Sequence, residues 1–188
     1  MKRIIPILFA ILLIACSSDD DSSSMDDDGT VLGDSFITAK INGNDFEAIP
    51  VDRGVPTISA ELDENAAFFS LVIAGIDLFE NITEGESIII AMTGVSFDLV
   101  FVGAEVNNPV DNPLELAFGG GYAPYETGGE SNVDFDTDGS SGFLRITAID
   151  KEAQIISGEF EYNVENPDTG ELLQITDGIF NNISYTDD

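Results

Sequence analysis

Gln154-Ile155-Ile156-Ser157-Gly158-Glu159-Phe160-Glu161-Tyr162-Asn163-Val164 is the stretch that decides the fold. Gln154, Ile156, Gly158, Phe160, Tyr162 and Val164 fall on one side of a two-residue period, and Ser157, Glu159, Glu161 and Asn163 on the other. That is the alternation of a strand with one face buried and one in water. A helix, with its 3.6-residue period, would mix the two sets. Asn166-Pro167-Asp168-Thr169-Gly170 turns the chain back, and Leu172–Thr176 and Ile179–Tyr185 read as two closing strands separated by Asp177-Gly178.

The same period recurs toward the N-terminus. Phe143–Ile149 reads as a strand entered from a glycine-rich loop, and further strands are expected at Leu114–Phe118, Val95–Val102 and Ser87–Met92. Asn107-Asn108-Pro109 and Asp111-Asn112-Pro113 mark a loop between the first two of these. Ala66–Ile76 is apolar on both faces, which predicts a central strand, and Asp63-Glu64-Asn65 turns into it from Thr57–Leu62. Phe36–Asn42 alternates Ile37, Ala39 and Ile41 against Thr38 and Lys40, and Asn42-Gly43-Asn44 offers the positive-φ residues of a tight hairpin before Phe46–Val51. About ten strands on short turns predict a single all-β domain, an antiparallel β-sandwich or a meander β-barrel, because parallel neighbours need crossovers for which there is no room. A sandwich core and a barrel lumen give the same alternation, so both architectures stand.

Residues 34–188 fit one domain, and a chain of about 150 residues buries roughly 68 to 70% of its unfolded surface. All of the chain's thirteen phenylalanines but Phe9 fall in it and supply much of the core. Ahead of the domain the character changes. In residues 1–15, Lys2 and Arg3 precede an uncharged apolar run, Ile4 to Ala15, too short to span a bilayer, the pattern of a secretory signal. Residues 16–33 follow, a cysteine and then Asp19, Asp20, Asp21, Asp26, Asp27 and Asp28 among serines with no base. Such a segment cannot bury enough apolar area to offset its ordering entropy and is expected to be a disordered tether. Cys16 is the single cysteine, so no internal disulfide can form.

Leu13-Ile14-Ala15-Cys16 resembles the lipobox of bacterial lipoproteins, which implies cleavage before Cys16 and its acylation. Two or more acyl chains, at about 0.8 kcal/mol per buried CH₂, suffice for stable anchoring in a bilayer. Cys16-Ser17-Ser18-Asp19-Asp20-Asp21 resembles the acidic signal of surface-exposed Bacteroidetes lipoproteins, which implies an outer-membrane protein facing the cell exterior. Three further pieces, Phe36–Ala48, Leu144–Asp150 leading to Ile156–Phe160, and Ile175–Ile183, together look like Bacteroidetes lipoprotein domains of the DUF6252 type. That resemblance implies fold and location and brings no activity with it.

Charge narrows the partners. The chain carries 36 acidic and 6 basic residues, a net charge of −30, and losing Lys2 and Arg3 leaves −32. Lys40, Arg53, Arg145 and Lys151 are too few and too scattered for a basic face, which excludes nucleic acid as a partner. With no histidine and the one cysteine acylated, Ser-His and Cys-His nucleophiles and the usual catalytic zinc sites are excluded as well. Gly119-Gly120-Gly121 lacks the lysine and helix of a phosphate loop and reads as a bend or bulge. Phe118, Tyr122 and Tyr125 gather around it with Pro124, either to pack or to offer aromatic faces to a ligand. Asp134, Asp136 and Asp138, followed by Gly139, match the opening of a calcium loop, yet Arg145 stands where a bidentate glutamate is expected, and an Asp-Gly turn before a strand accounts for the same residues.

Three functions follow from these features. The first is a membrane-anchored, surface-exposed lipoprotein with a non-catalytic binding or structural domain. The second is a calcium-stabilised binding module using Asp134, Asp136 and Asp138. The third is a carboxylate-dependent glycan hydrolase, since a chain this acidic sets some carboxylates at suitable separations.

Overall fold

Twelve strands are present among the described residues of the computed structural model, which are 34–51, 56–65, 67–79, 83–108, 116–126, 135–136, 142–166 and 169–187. They are β1 (Phe36–Ile41), β2 (Asn44–Ala48), β3 (Ile58–Glu64), β4 (Phe69–Leu78), β5 (Glu84–Gly94), β6 (Glu105–Asn108), β7 (Leu116–Glu126), β8 (Phe135–Asp136), β9 (Gly142–Asp150), β10 (Ile155–Glu165), β11 (Leu172–Ser184) and β12 (Thr186–Asp187). All of them lie in one compact unit, Leu32–Asp188.

Hydrogen bonding runs β12-β3-β4-β5-β7-β8-β10-β11-β1-β2, with β9 alongside β10 and β6 alongside β9. This ladder folds over on itself into two leaves. The first is β12-β3-β4-β5-β7; the second is β6-β9-β10-β11-β1-β2; the two residues of β8 join them by pairing with Gly121 and Tyr122 on one side and Glu165 on the other. No ladder among the described residues links β12 with β2, so the sheet is not closed into a barrel. The molecule is a sandwich.

The decisive strand, β10, lies within the second leaf and keeps its alternation from Gly158 onward, with Phe160, Tyr162 and Val164 buried and Glu159 and Glu161 facing outward. Before that it departs from expectation, since Gln154 is exposed at φ 55° in the turn ahead of the strand and Ser157 is buried at a register shift, its hydroxyl accepting the Asn182 N–H at 2.9 Å. Its inward residues meet Leu71, Ile73, Ile88, Ile90 and Met92 of the first leaf in one continuous core. Phe160 stacks on Tyr162 and Phe180, and Tyr162 takes Phe118 at its edge. The Tyr162 hydroxyl donates across the core to the backbone carbonyls of Gly121 at 2.9 Å and Ile89 at 3.1 Å, so its one polar atom is satisfied where a stranded hydroxyl would cost about 1 to 3 kcal/mol.

The asparagine-glycine hairpin forms as expected, with Asn42 at φ 50° and Gly43 at φ 85° joining β1 to β2. β2 ends the ladder, and the other leaf closes its open edge: the Asp77 carboxylate accepts the Glu47 N–H at 3.1 Å, and the Thr57 hydroxyl donates to the Ile49 carbonyl. Unpaired edge groups would otherwise template pairing with another chain.

Five further expectations are corrected. Val95–Val102 alternates like a strand, yet β5 stops at Gly94 and Phe97–Leu99 is a 3-10 turn whose first amides are met by the Ser96 side chain and Glu64. Phe97 is drawn inward there, its ring edge-on to Phe69 at 5.4 Å and to Tyr185 at 5.8 Å. Asparagines 107 and 108, read as loop, belong to β6. Gly119-Gly120-Gly121 is no bend: β7 runs straight through it, paired with Ile89–Ala91. A Cβ on Gly120 would lie 2.6 Å from the Tyr162 ring, so the glycine leaves room for that aromatic. Asp177-Gly178 does not separate two strands but forms a bulge inside β11, Asp177 taking φ 52° where the register with β10 shifts. Finally, β12 pairs with β3 in parallel, because the chain crosses between leaves at buried Tyr185 and not through a crossover helix.

Candidate functional site

Each leaf has one side in the core and one side outward, and strand alternation assigns every residue to one of them. In the second leaf the outward side is charged. One row crosses it as Glu105, Arg145, Glu159, Ile179, Thr38 and Glu47, each paired with the next on the neighbouring strand. Arg145 donates to Glu159 at 2.9 Å, lies 3.8 Å from Glu105, and holds its guanidinium 5.6 Å from the Phe143 ring centre. Lys40 bonds Asp45, which lowers the Asp45 pKa and raises that of Lys40 through the hydrogen bond first and the charge second. An open groove of about 320 Å³ lies beside this row, over Phe143, Glu161 and the Asp177 bulge. Another, of about 600 Å³, lies over Phe36, Thr38, Glu47 and Ile49.

The first leaf is different. Leu71, Ile73, Ile88, Ile90, Met92 and Phe118 point into the core. Ten of the alternate positions are at least partly exposed and point out: Ser70, Val72, Ala74 and Ile76 on β4, Ser87, Ile89, Ala91 and Thr93 on β5, and Ala117 and Gly119 on β7; Gly121 and Ala123, which continue that side of β7, are buried, Ala123 at 1% exposure. None of these ten is charged, although charged residues make up 22% of the chain and would on average fill about two of ten positions. The rows are Val72-Ala91-Gly119 and Ala74-Ile89, with Ser70-Thr93-Ala117 and Ile76-Ser87 flanking them. Small side chains opposite one another make this a flat surface. Val72, 37% exposed, stands at its β4 edge, where acids enter as Glu61 beside Val72 and Asp63 beside Ser70 on β3. A contiguous uncharged, largely apolar surface on a charged molecule marks a contact site.

The aromatic cluster expected around Gly119–Gly121 is divided between the two sides of the leaf. Phe118 is buried against Tyr162, and Tyr122, also on the core side, donates its hydroxyl to Glu86 at 3.0 Å. Burial first, and the Glu86 charge second, push the Tyr122 phenol far above its ordinary pKa. Tyr125, of opposite parity, is half-buried on the same side of β7 as the buried Ala123. Of the calcium candidates, Asp134 and Asp138 lie outside the described residues, and Asp136 is described only through its backbone, which pairs with Gly121 and Glu165. Cys16 and the tether also lie outside them. Among the described residues no three acidic, histidine or cysteine side chains converge in a way that would hold a metal ion. For glycoside hydrolysis, Glu105 and Glu159 are brought together, but the Arg145 guanidinium fills the space between them where a glycosidic bond would have to sit.

The family model described as a domain of unknown function, DUF6252, matches residues 57–184. The chain belongs to the DUF6252 family. No curated protein matches it, and no solved structure does. The DUF6252 match begins at the entry to β3 and ends with β11, so it holds all three strands of the uncharged surface and the Glu105-Arg145-Glu159 part of the charged row. The hairpin β1–β2, which carried the first piece of the sequence resemblance, lies outside it.

The uncharged surface escaped sequence reasoning for a simple cause. Ala66–Ile76 alternates no polarity, the pattern of a strand buried on both sides; one of those sides is outward. The signal was present in three runs free of charge, 65–76, 87–97 and 116–125, which the ladder sets side by side.

Proposed function

We propose that this protein is a lipid-anchored, non-enzymatic surface domain that binds a partner through the uncharged outer side of β4, β5 and β7. The absence of charge from ten adjacent outward positions carries the reading, since solubility alone would favour charges there. The anchor is acylated Cys16, the acidic run at residues 17–33 is the tether, and the location is the outer membrane facing outward, on the strength of the lipobox and the aspartates behind it. At its reach of about 3.3 to 3.6 Å per residue, such a tether lets the domain turn any side toward a partner.

Cell fractionation and protease shaving test the address. Wild-type protein is expected in the outer membrane and cleavable on intact cells, and Cys16→Ala is expected in the soluble fraction; protection of the domain on intact cells would overturn outward display. For the contact surface, Val72→Glu is expected to abolish capture of surface partners from intact cells while the fold is kept, and undiminished capture would remove the surface from consideration.

A second reading gives the aspartate run a structural part. Asp136 stands on the strand that joins the two leaves, so a divalent cation held by Asp134, Asp136 and Asp138 would stabilise the join. Thermal melts in millimolar calcium and then chelator decide it, with no change in midpoint counting against the cation.

A further inference from the structure

We infer that the two grooves on the outer side of the second leaf form one site for an extended, basic segment of a partner protein, a second contact surface separate from the uncharged one on β4, β5 and β7. The groove of about 320 Å³ that Ile179 lines and the groove of about 600 Å³ that Thr38 lines adjoin, because Ile179 and Thr38 are direct partners across β11 and β1. Both lie along the row that runs from Arg145 through Glu159, Ile179 and Thr38 to Glu47. Four strand spacings of about 4.8 Å make that row about 19 Å long, the span of about six extended residues. The Asp177-Gly178 bulge shifts β11 against both β1 and β10 and bends the sheet beneath the grooves.

Chemistry selects the occupant. Ile179 and Ile49, 43% and 45% exposed, and half-buried Phe143 and Phe36 give the depression an apolar floor. Around it stand Asp34, Glu47, Glu161 and Asp177, none of which forms an ion pair among the described residues. The bases nearby are already taken, Arg145 by Glu159 and Lys40 by Asp45. An acidic ligand, or another copy of this chain with its net charge of −30, is repelled. A neutral apolar ligand would cover the floor but strip water from the carboxylates and give them no partner. A lone divalent cation finds no site, since no three acids converge on one point among the described residues. A chain that carries lysine or arginine beside apolar side chains satisfies floor and rim together; without it the carboxylates stay in water and keep free molecules apart.

The test titrates the full-length protein, extracted in neutral detergent, into a fluorescent hexapeptide of alternating lysine and valine and follows its anisotropy. Saturable binding is expected, weakened about tenfold by Glu47→Lys with Glu161→Lys. Glu61→Lys with Asp63→Lys changes the net charge equally but on β3 of the other leaf, and is expected to leave the affinity within about twofold. A hexapeptide of alternating lysine and serine is expected to bind about fivefold more weakly, because it leaves the floor uncovered. Glu47→Gln with Glu161→Gln, which keeps the size of both side chains, is expected to weaken binding about threefold and serves if the lysine pair does not fold. No saturable binding, equal affinity for the lysine-serine peptide, or an equal loss from the β3 pair or from Val72→Glu overturns the site. Release of the peptide by a neutral oligosaccharide overturns it too, since the grooves would then belong to a sugar. Val72→Glu is expected to leave the peptide affinity unchanged, so this surface and the uncharged one stand or fall separately.

Discussion

The two outer sides of this sandwich are built on the same core by the same kind of strand, and they differ in one respect. On the second leaf, outward positions alternate acid, base and apolar residue, as in Glu105, Arg145, Glu159 and Ile179. On the first leaf, ten outward positions hold no charge at all. Neither side contributes much to folding, because the core lies between the leaves and Val72 or Arg145 could change without disturbing it. The difference therefore reports on what each side meets. The charged side meets water and keeps a strongly acidic protein dispersed; the uncharged side has the composition of a surface that is covered at least part of the time.

The largest effect expected is a test of which side is which. Leu71→Glu and Val72→Glu place the same acid one residue apart on β4. Leu71 is 2% exposed, so its replacement buries an unpaired carboxyl and is expected to cost more than about 4 kcal/mol or prevent folding. Val72→Glu is expected to change stability by no more than about 0.5 kcal/mol. Chemical denaturation of the two variants measures both, and similar losses would mean that the sides are misassigned.

Next in size is the shared core. Phe160→Ala removes a ring that is 0% exposed and stacked on both Tyr162 and Phe180, with an expected loss of about 3 to 5 kcal/mol and one cooperative transition for both leaves. Two separate transitions would show that the leaves are held independently.

Alkaline pH reaches the same core by another route. Burial raises the Tyr162 phenol, and burial with the Glu86 charge raises that of Tyr122, both from an ordinary value of 10.0. Once the pH passes 10, an unfolded chain gives up these protons while the folded one keeps them. Stability is therefore flat below that pH and falls as the pH rises above it. Tyrosine absorbance should show two phenols ionising only as the protein unfolds, and Tyr162→Phe should move the alkaline midpoint upward.

The smallest effect is expected on the charged side. Arg145→Ala leaves Glu105 and Glu159 facing each other at half-exposed positions and is expected to cost under about 1 kcal/mol, vanishing in high salt. A larger, salt-independent loss would mean that this side is a built site and not a solvated face.

What could be read from the residues divides along the same line. Gln154–Val164 announced a half-buried strand because polarity alternated with the period of the backbone, and β1, β2, β3 and β9 were legible for the same reason. β7 was cut short at its glycines since their role is to admit Tyr162, a residue about forty positions away. Val95–Val102 misled because Phe97 turns inward to Phe69 and Tyr185, contacts no local pattern contains.

By itself the sequence determined the strand class, the absence of histidine and the change of composition ahead of residue 34, all of which depend on local period or composition. Tertiary structure alone decided that the sheet stays open, that β12 returns to β3 across 126 residues between Ala60 and Thr186, and which half of an apolar strand faces out. A strand with apolar residues on both sides has two equivalent faces until another leaf covers one of them. Here the second leaf covers Leu71, Ile73, Ile88 and Ile90, and Val72, Ala74, Ile89 and Ala91 are left as surface.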